Sequence, residues 1–142
     1  TLAGQTVEGQ TQAVNPFSDP NNPLSKRSVY FAFDSYEVEA QYMPAVEAHA
    51  RLLAAHPNVN IVIQGNTDER GGREYILSLG QKRSEAVKQR LQLLGIPAER
   101  IEAVSFGREK PVAFGHSEEA WAQNRRADID YPTEVTSGKV AQ

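Results

Sequence analysis

The stretch Val59–Gly95, VNIVIQGNTDERGGREYILSLGQKRSEAVKQRLQLLG, decides the fold. Val59, Ile61 and Ile63 alternate with Asn60 and Gln64, the period-2 pattern of a half-buried strand. Gly65 to Gly72 follows as a loop rich in glycine and charge. A long helix is then expected from about Arg73 to Leu94, with Leu79, Val87, Leu91 and Leu94 on one apolar stripe. Gly95 supplies a C′ residue and Pro97 confirms the stop. A strand feeding a helix through a short glycine loop is the front half of a βαβ unit.

Both flanks extend the same alternation. Upstream, Val29-Tyr30-Phe31-Ala32-Phe33 is rich in β-formers, places Val29, Phe31 and Phe33 on one face, and stops at Asp34-Ser35. Glu39 to His56 reads as a helix with Tyr42, Val46, Ala50 and Leu53 inward; Pro44 fits only a first turn, so the helix should begin near Tyr42. Downstream come a strand from Ile101 to Phe106 and a loop through Gly107, Pro111 and Gly115. Ser117-Glu118-Glu119 offers an N-cap and acidic first turn for a short helix. A last strand runs from Ala127 to Tyr131, with Ala127, Ile129 and Tyr131 inward. The order β-α-β-α-β-(short α)-β predicts an α/β (α+β) fold: a mixed four-stranded sheet with two main helices packed on it.

Outside this region the patterning lapses. Residues 1–26 are full of Thr, Gln, Asn, Gly and Pro and read as a flexible polar tether, about 28 Å across on average as a coil. Residues 27–131 form the domain, and residues 132–142 read as a disordered tail. The whole chain of 142 residues carries a net charge of −3, which argues against non-specific nucleic-acid binding. With no cysteine, disulfides, cysteine–zinc sites and thiol catalysis are excluded within this chain. No apolar run approaches the roughly 18 residues of a membrane-spanning helix.

One residue breaks the binary pattern. Arg83 stands on the apolar stripe of the long helix, four residues from both Leu79 and Val87. Such an arginine either snorkels along its stem, the commoner outcome, or is buried with a partner or aimed into a cleft. The loop upstream favours the cleft: Asp68 and Glu69 follow the second strand, and Asp34 holds the matching place after the first. In open α/β sheets that edge is where ligands bind. Two carboxylates and a guanidinium converging there suit a zwitterion, since an ammonium wants a carboxylate and a carboxylate wants a planar N–H fork.

Other motifs carry less. There is no G-x-G-x-x-G, and the glycine loop lacks the Lys-Ser/Thr ending of a phosphate-binding loop. His49 and His56 lie two helical turns apart, too far to share a metal, and are expected to be solvated or half-buried; His116 is alone in a loop. Asn124-Arg125-Arg126 reads as solvated edge charge, or as part of the ligand rim. Asp34 with Asp68 resembles a glycosidase pair only in residue type.

Several motifs stand in register: Tyr30-Phe31-Ala32-Phe33-Asp34, Gly65-Asn66-Thr67-Asp68-Glu69-Arg70-Gly71, Glu74-Tyr75, Leu79-Gly80-Gln81-Lys82-Arg83-Ser84-Glu85-Ala86-Val87, Glu109-Lys110-Pro111 and Asn124-Arg125-Arg126-Ala127. Together, over roughly Ser28 to Tyr131, they resemble the OmpA-like peptidoglycan-binding domain, most of all its lipoprotein branch. The resemblance implies a βαβαββ module without catalytic residues, metal or cofactor that grips the diaminopimelate of the peptidoglycan stem peptide in the Gram-negative wall. Carried over, Asp68 meets the ammonium of diaminopimelate and Arg83 its carboxylate, Phe33 and Asp34 line the rim, and Leu79 gives an apolar floor. Tyr36, Asn66, Thr67, Arg70 and Arg125 are further candidates for that rim.

The same resemblance implies the β-propeller protein TolB and other Tol-system or outer-membrane proteins as partners, no nucleic acid, a role in cell division, and a place at the periplasmic face of the outer membrane. Its lipidated N-terminal cysteine is expected upstream of Thr1. The alternatives are the wall-anchoring domain of a porin or motor stator, and a wall hydrolase using Asp34 and Asp68. Two positions depart from the family pattern: Ile76 replaces the usual Asn after Tyr75, and Gly72 stands where Thr or Ser is common.

Overall fold

A computed structural model describes residues 15–136. The elements are β1 (Ser28–Tyr30), α1 (Met43–Ala55), β2 (Ile61–Asn66), α2 (Arg73–Leu93), β3 (Ile101–Gly107), α3 (Glu118–Asn124), β4 (Arg126–Asp130) and a final turn of helix, α4 (Thr133–Thr136). The expected mixed four-stranded α/β sheet is present, in the order β1-β4-β2-β3. β2 and β3 are parallel neighbours, and β4 runs antiparallel between β1 and β2. The last strand to leave the chain therefore occupies the middle of the sheet, where its inward Ala127 and Ile129 are fully buried.

Local chemistry sets the boundaries. Pro44 sits in the first turn of α1, where no N–H is needed. Ser117 caps α3 by accepting from the Ala120 N–H at 3.3 Å. Gly95, at φ 102°, ends α2 as its sequence suggested. Leu94 belongs to this C-terminal turn and is half-exposed, so the apolar stripe stops at Leu91. The buried face of α2 instead includes Ile76, Gly80 and Ser84 beside Leu79, Arg83, Val87 and Leu91.

The first strand is shorter than its alternation implied. It ends at Tyr30, although the Phe31 N–H still donates to the Arg125 carbonyl at 2.8 Å. Asp34 then adopts φ 60°, the left-handed region that aspartate tolerates better than most residues. The turn throws Phe33 out of the core; it is 60 % exposed, whereas Val29 and Phe31 are buried as expected.

The domain also reaches further than residues 27–131. Phe17, read from sequence as tether, is buried against Tyr131 with ring centroids 5.0 Å apart. The Asn15 amide donates to the Thr136 carbonyl at 2.7 Å, and Val135 is buried in the same cluster. One well-placed aromatic thus seats residues 15–26 on the domain; the remaining tether and tail, residues 1–14 and 137–142, lie outside the described residues.

His49 is fully buried, contrary to the expectation of a solvated or half-buried ring, while His56 is half-buried. The Lys26 carbonyl lies 2.9 Å from His49 Nε2, and the Tyr131 hydroxyl lies 2.7 Å from Nδ1. A carbonyl can only accept, so Nε2 carries the proton and Tyr131 donates to Nδ1. Burial above all lowers the His49 pKa to about 4, and the ring is neutral.

Candidate functional site: an acid and an arginine at the end of strand β2

The helix that carries the site lies unusually close to the strand that feeds it. A β-carbon on Gly65 of β2 would overlap the carbonyl of Gly80 on α2, and one on Gly80 would overlap the hydroxyl of Ser105 on β3. Two glycines let α2 sink onto the sheet, and one turn further along Arg83 reaches the end of β2.

Arg83 is completely buried. It donates from Nε to the Ser35 carbonyl at 2.8 Å, from Nη1 to Asn66 at 3.0 Å and from Nη2 to Ala32 at 3.3 Å. Its guanidinium also stands 5.3 Å from the centre of the Phe31 ring. Burial pulls its pKa down to about 10, opposed by the charges of Asp68 and Asp34 and reinforced by that of Arg125. It therefore stays charged at neutral pH, with two of its five N–H groups uncommitted to these carbonyls.

Asp68 follows β2 directly and is only 4 % exposed. It is not hydrogen-bonded to Arg83. Its partner is Arg70, whose Nη2 donates to Oδ2 at 2.6 Å, whose Nε donates to Oδ1 at 3.2 Å, and whose main-chain N–H donates to Oδ1 at 2.9 Å. Arg125 Nη1 stands 3.6 Å from Oδ2. Burial would raise the Asp68 carboxyl, but the hydrogen bonds and charges of Arg70, helped by Arg125, outweigh it and hold the group below its ordinary range.

Around this pair a narrow cleft of about 10 Å³ is lined by Phe33, Asp34, Thr67, Asp68, Arg70, Tyr75, Leu79 and Arg83. All five residues expected to bind ligand, Phe33, Asp34, Asp68, Leu79 and Arg83, are thus brought to one place, with Thr67 and Arg70 of the additional rim. The structure does not place the other three in the cleft wall. Tyr36 lines a neighbouring groove of about 440 Å³ that shares Asp34. Asn66 is buried with its amide turned to the Gln64 carbonyl at 3.0 Å. Arg125, far from being solvated edge charge, is buried beneath Asp68 and bonded to the Phe31 carbonyl and to Glu118.

Tyr75 is a wall residue that sequence reasoning passed over, although it lies inside a quoted motif. Trp121, the chain's single tryptophan, was also missed. Its indole donates to Glu69 at 2.7 Å, and its ring lies 4.0 Å from the Arg70 guanidinium carbon; Phe33 covers Arg70 from another side at 4.2 Å. The two departures are also resolved: Ile76 is buried beside Gly107 as an apolar plug, and Gly72 starts α2 without any side-chain cap. Among the described residues, no group of three or more His, Asp or Glu side chains is placed to hold a metal, and no helix is long and apolar enough to cross a membrane.

Fold and cleft together define a mixed-sheet α/β domain with a recessed acid and a buried arginine at the carboxyl end of its second strand. A family model described as the OmpA family matches residues 30–125, and the chain belongs to that family. It is 47 % identical over 104 residues, 73 % of this chain and 69 % of the relative, to the peptidoglycan-associated lipoprotein of Pasteurella multocida. The crystal structure of the peptidoglycan-associated lipoprotein from Burkholderia pseudomallei is similar at 61 % identity and a TM-score of 0.79, covering 82 % of this chain and 99 % of that one. The C-terminal domain of Helicobacter pylori MotB, at 20 % identity and a TM-score of 0.68 over 80 % of this chain and 96 % of its own, shares the fold alone.

Proposed function

We propose that this chain is a non-enzymatic peptidoglycan-binding module that ties the outer membrane to the wall from the periplasmic side, and that its ligand is the diaminopimelate of the stem peptide. The observation that carries this reading is the convergence of an ionised Asp68, a charged Arg83 and the apolar Leu79 in one cleft. Diaminopimelate offers an ammonium and a carboxylate on one carbon, which match the acid and the free N–H groups of the arginine. A methylene chain then lies on the leucine. The names of the relatives support wall association and a lipid-anchored place at the outer membrane. The Tol–Pal system, TolB and a role in division belong to this proposal as the setting in which such a tether works.

A hydrolase reading is disfavoured. A general acid needs a carboxyl whose pKa is raised, and that of Asp68 is lowered. The porin and motor-stator settings have only the fold in their favour.

The test is co-sedimentation with purified sacculi, together with calorimetry using meso-diaminopimelate. The wild-type chain should bind, and Asp68→Asn should weaken binding at least tenfold with only a small fall in its thermal midpoint. Unchanged binding by Asp68→Asn would overturn the mechanism; release of soluble muropeptides would restore the hydrolase.

A further inference from the structure

The position that the ligand's ammonium needs is already taken by a cation of the chain itself. Arg70 satisfies both oxygens of Asp68, through Nη2 at 2.6 Å and through Nε and its own N–H at 3.2 and 2.9 Å. Its guanidinium is held between two aromatic faces, Phe33 at 4.2 Å and Trp121 at 4.0 Å. With the arginine in place the cleft keeps about 10 Å³, room for about one water and not for an amino acid. We infer that Arg70 is a resident competitor for the ammonium site, and that a ligand is admitted only when its own cation displaces Arg70 from Asp68. This inference rests on the wall-binding reading and adds the residue that gates it.

Several features fit a guanidinium that leaves and returns. Its aromatic neighbours are themselves accessible, Phe33 being 60 % exposed, and the Arg70 side chain is 32 % exposed, so departure needs no opening of the core. Asp68 keeps a second cation beside it when Arg70 leaves. Arg125 Nη1 lies 3.6 Å from Oδ2, is buried and among the described residues has no hydrogen-bond partner of its own, so a guanidinium still faces the carboxylate while Arg70 is away. A destination is at hand too, since the exposed carboxylates of Glu69 and Glu118 both attract Arg70. The consequence is selectivity: an apolar or purely anionic ligand meets a closed cleft, whereas an ammonium beside a carboxylate exchanges one ion pair for another.

Trp121 makes the exchange visible, because it is the only tryptophan and touches Arg70. In the full chain, titration with meso-diaminopimelate should shift the tryptophan emission. Pimelate, which lacks both amino groups, should leave it unchanged. Ligand-free Arg70→Ala should already emit like the saturated wild type, show no further shift, and bind meso-diaminopimelate three- to tenfold more tightly. Ligand-free Asp68→Asn, which releases Arg70 without any ligand, should show the same emission change. Weaker binding by Arg70→Ala, or wild-type binding without an emission shift, would overturn the inference while leaving wall binding intact. No binding of diaminopimelate or sacculi by either protein would instead overturn the wall-binding reading and the gate with it.

Discussion

Gly65 of β2 and Gly80 of α2 meet backbone to backbone, so that a side chain on Gly65 would overlap the Gly80 carbonyl. The contact fixes the depth of α2 on the sheet and thereby the reach of Arg83 to the Asn66 carbonyl. Gly65→Ala should therefore destabilise the domain by about 3 kcal/mol or more, since main chain rather than a mobile side chain must yield. Gly80→Ala meets the Ser105 hydroxyl instead, and the double variant Gly80→Ala/Ser105→Ala should recover part of the loss. Urea midpoints of the three variants check both statements.

Arg83 has a structural duty as well as the proposed binding one. Its three hydrogen bonds tie Ala32 and Ser35, beyond β1, to Asn66 at the end of β2. Truncation takes one donor from each of three carbonyls, of which Ala32 still accepts from the Ser35 N–H at 3.1 Å, and empties a fully buried site. Arg83→Ala should cost about 3–5 kcal/mol, so loss of wall binding in that variant does not by itself separate contact from fold. Asp68→Asn, which removes a charge without removing volume, is the cleaner probe. Thermal unfolding of both variants should show a large drop for the first and a small one for the second.

How much of this was legible follows from range. The long helix α2 was readable because its punctuation is local: a glycine loop before it, Gly95 and Pro97 after it. Arg83 was readable as an exception because the stripe around it is regular. The insertion of β4 between β1 and β2 depends on pairing residues from about 60 to 100 positions apart, which no local period encodes. Arg70 was named only as a further rim candidate, and its pairing with Asp68 was not readable for a different reason: a loop has no period for a residue to violate, and its partners Phe33 and Trp121 come from distant segments. Phe33 looked inward because its strand was assumed to continue; the left-handed Asp34 is where that assumption fails.

The pH dependence of stability should report His49. Its ordinary pKa is 6.5 and its folded value about 4, so below pH 6.5 the unfolded chain takes up a proton that the folded chain refuses. Stability from this residue is complete above pH 6.5 and is lost as the pH falls toward 4. At about 1.4 kcal/mol per pH unit the whole window is worth about 3 kcal/mol. Asp68, whose folded pKa lies below the ordinary 3.8, acts in the same direction only at more acidic pH. Urea unfolding at pH 7, 5.5 and 4.5 should show the decline, and His49→Gln should flatten it.

Gly72 offers a gain rather than a loss. It is the N-cap of α2, its φ of −74° suits any residue, and among the described residues nothing lies within 4 Å of where a β-carbon would stand. Gly72→Ser supplies an oxygen for a first-turn N–H and restricts the unfolded chain, so it should raise stability by about 0.5–1 kcal/mol. A rise in the thermal midpoint of a few degrees, with wall binding unchanged, is the expected result.

Phe17 decides where the domain begins. It is 7 % exposed, packs edge-on against Tyr131 at 5.0 Å, and has the Arg27 guanidinium carbon 5.7 Å from its ring centre. Tyr131 in turn donates to His49, whose Nε2 N–H is bonded to the Lys26 carbonyl, so residues 15–26, α1 and the end of β4 share one buried junction. Deleting the ring removes its burial and leaves a void beside Tyr131, a loss of about 3 kcal/mol. If residues 15–26 were only a tether, Phe17→Ala would leave the urea midpoint where it is. The packing instead requires a lower midpoint, and a similar fall in a chain that starts at residue 27. Tyr131→Phe, which keeps the ring contact and deletes the hydroxyl, should lose only the hydrogen bond to His49, about 1 kcal/mol, and so separates packing from polar contact at the same junction.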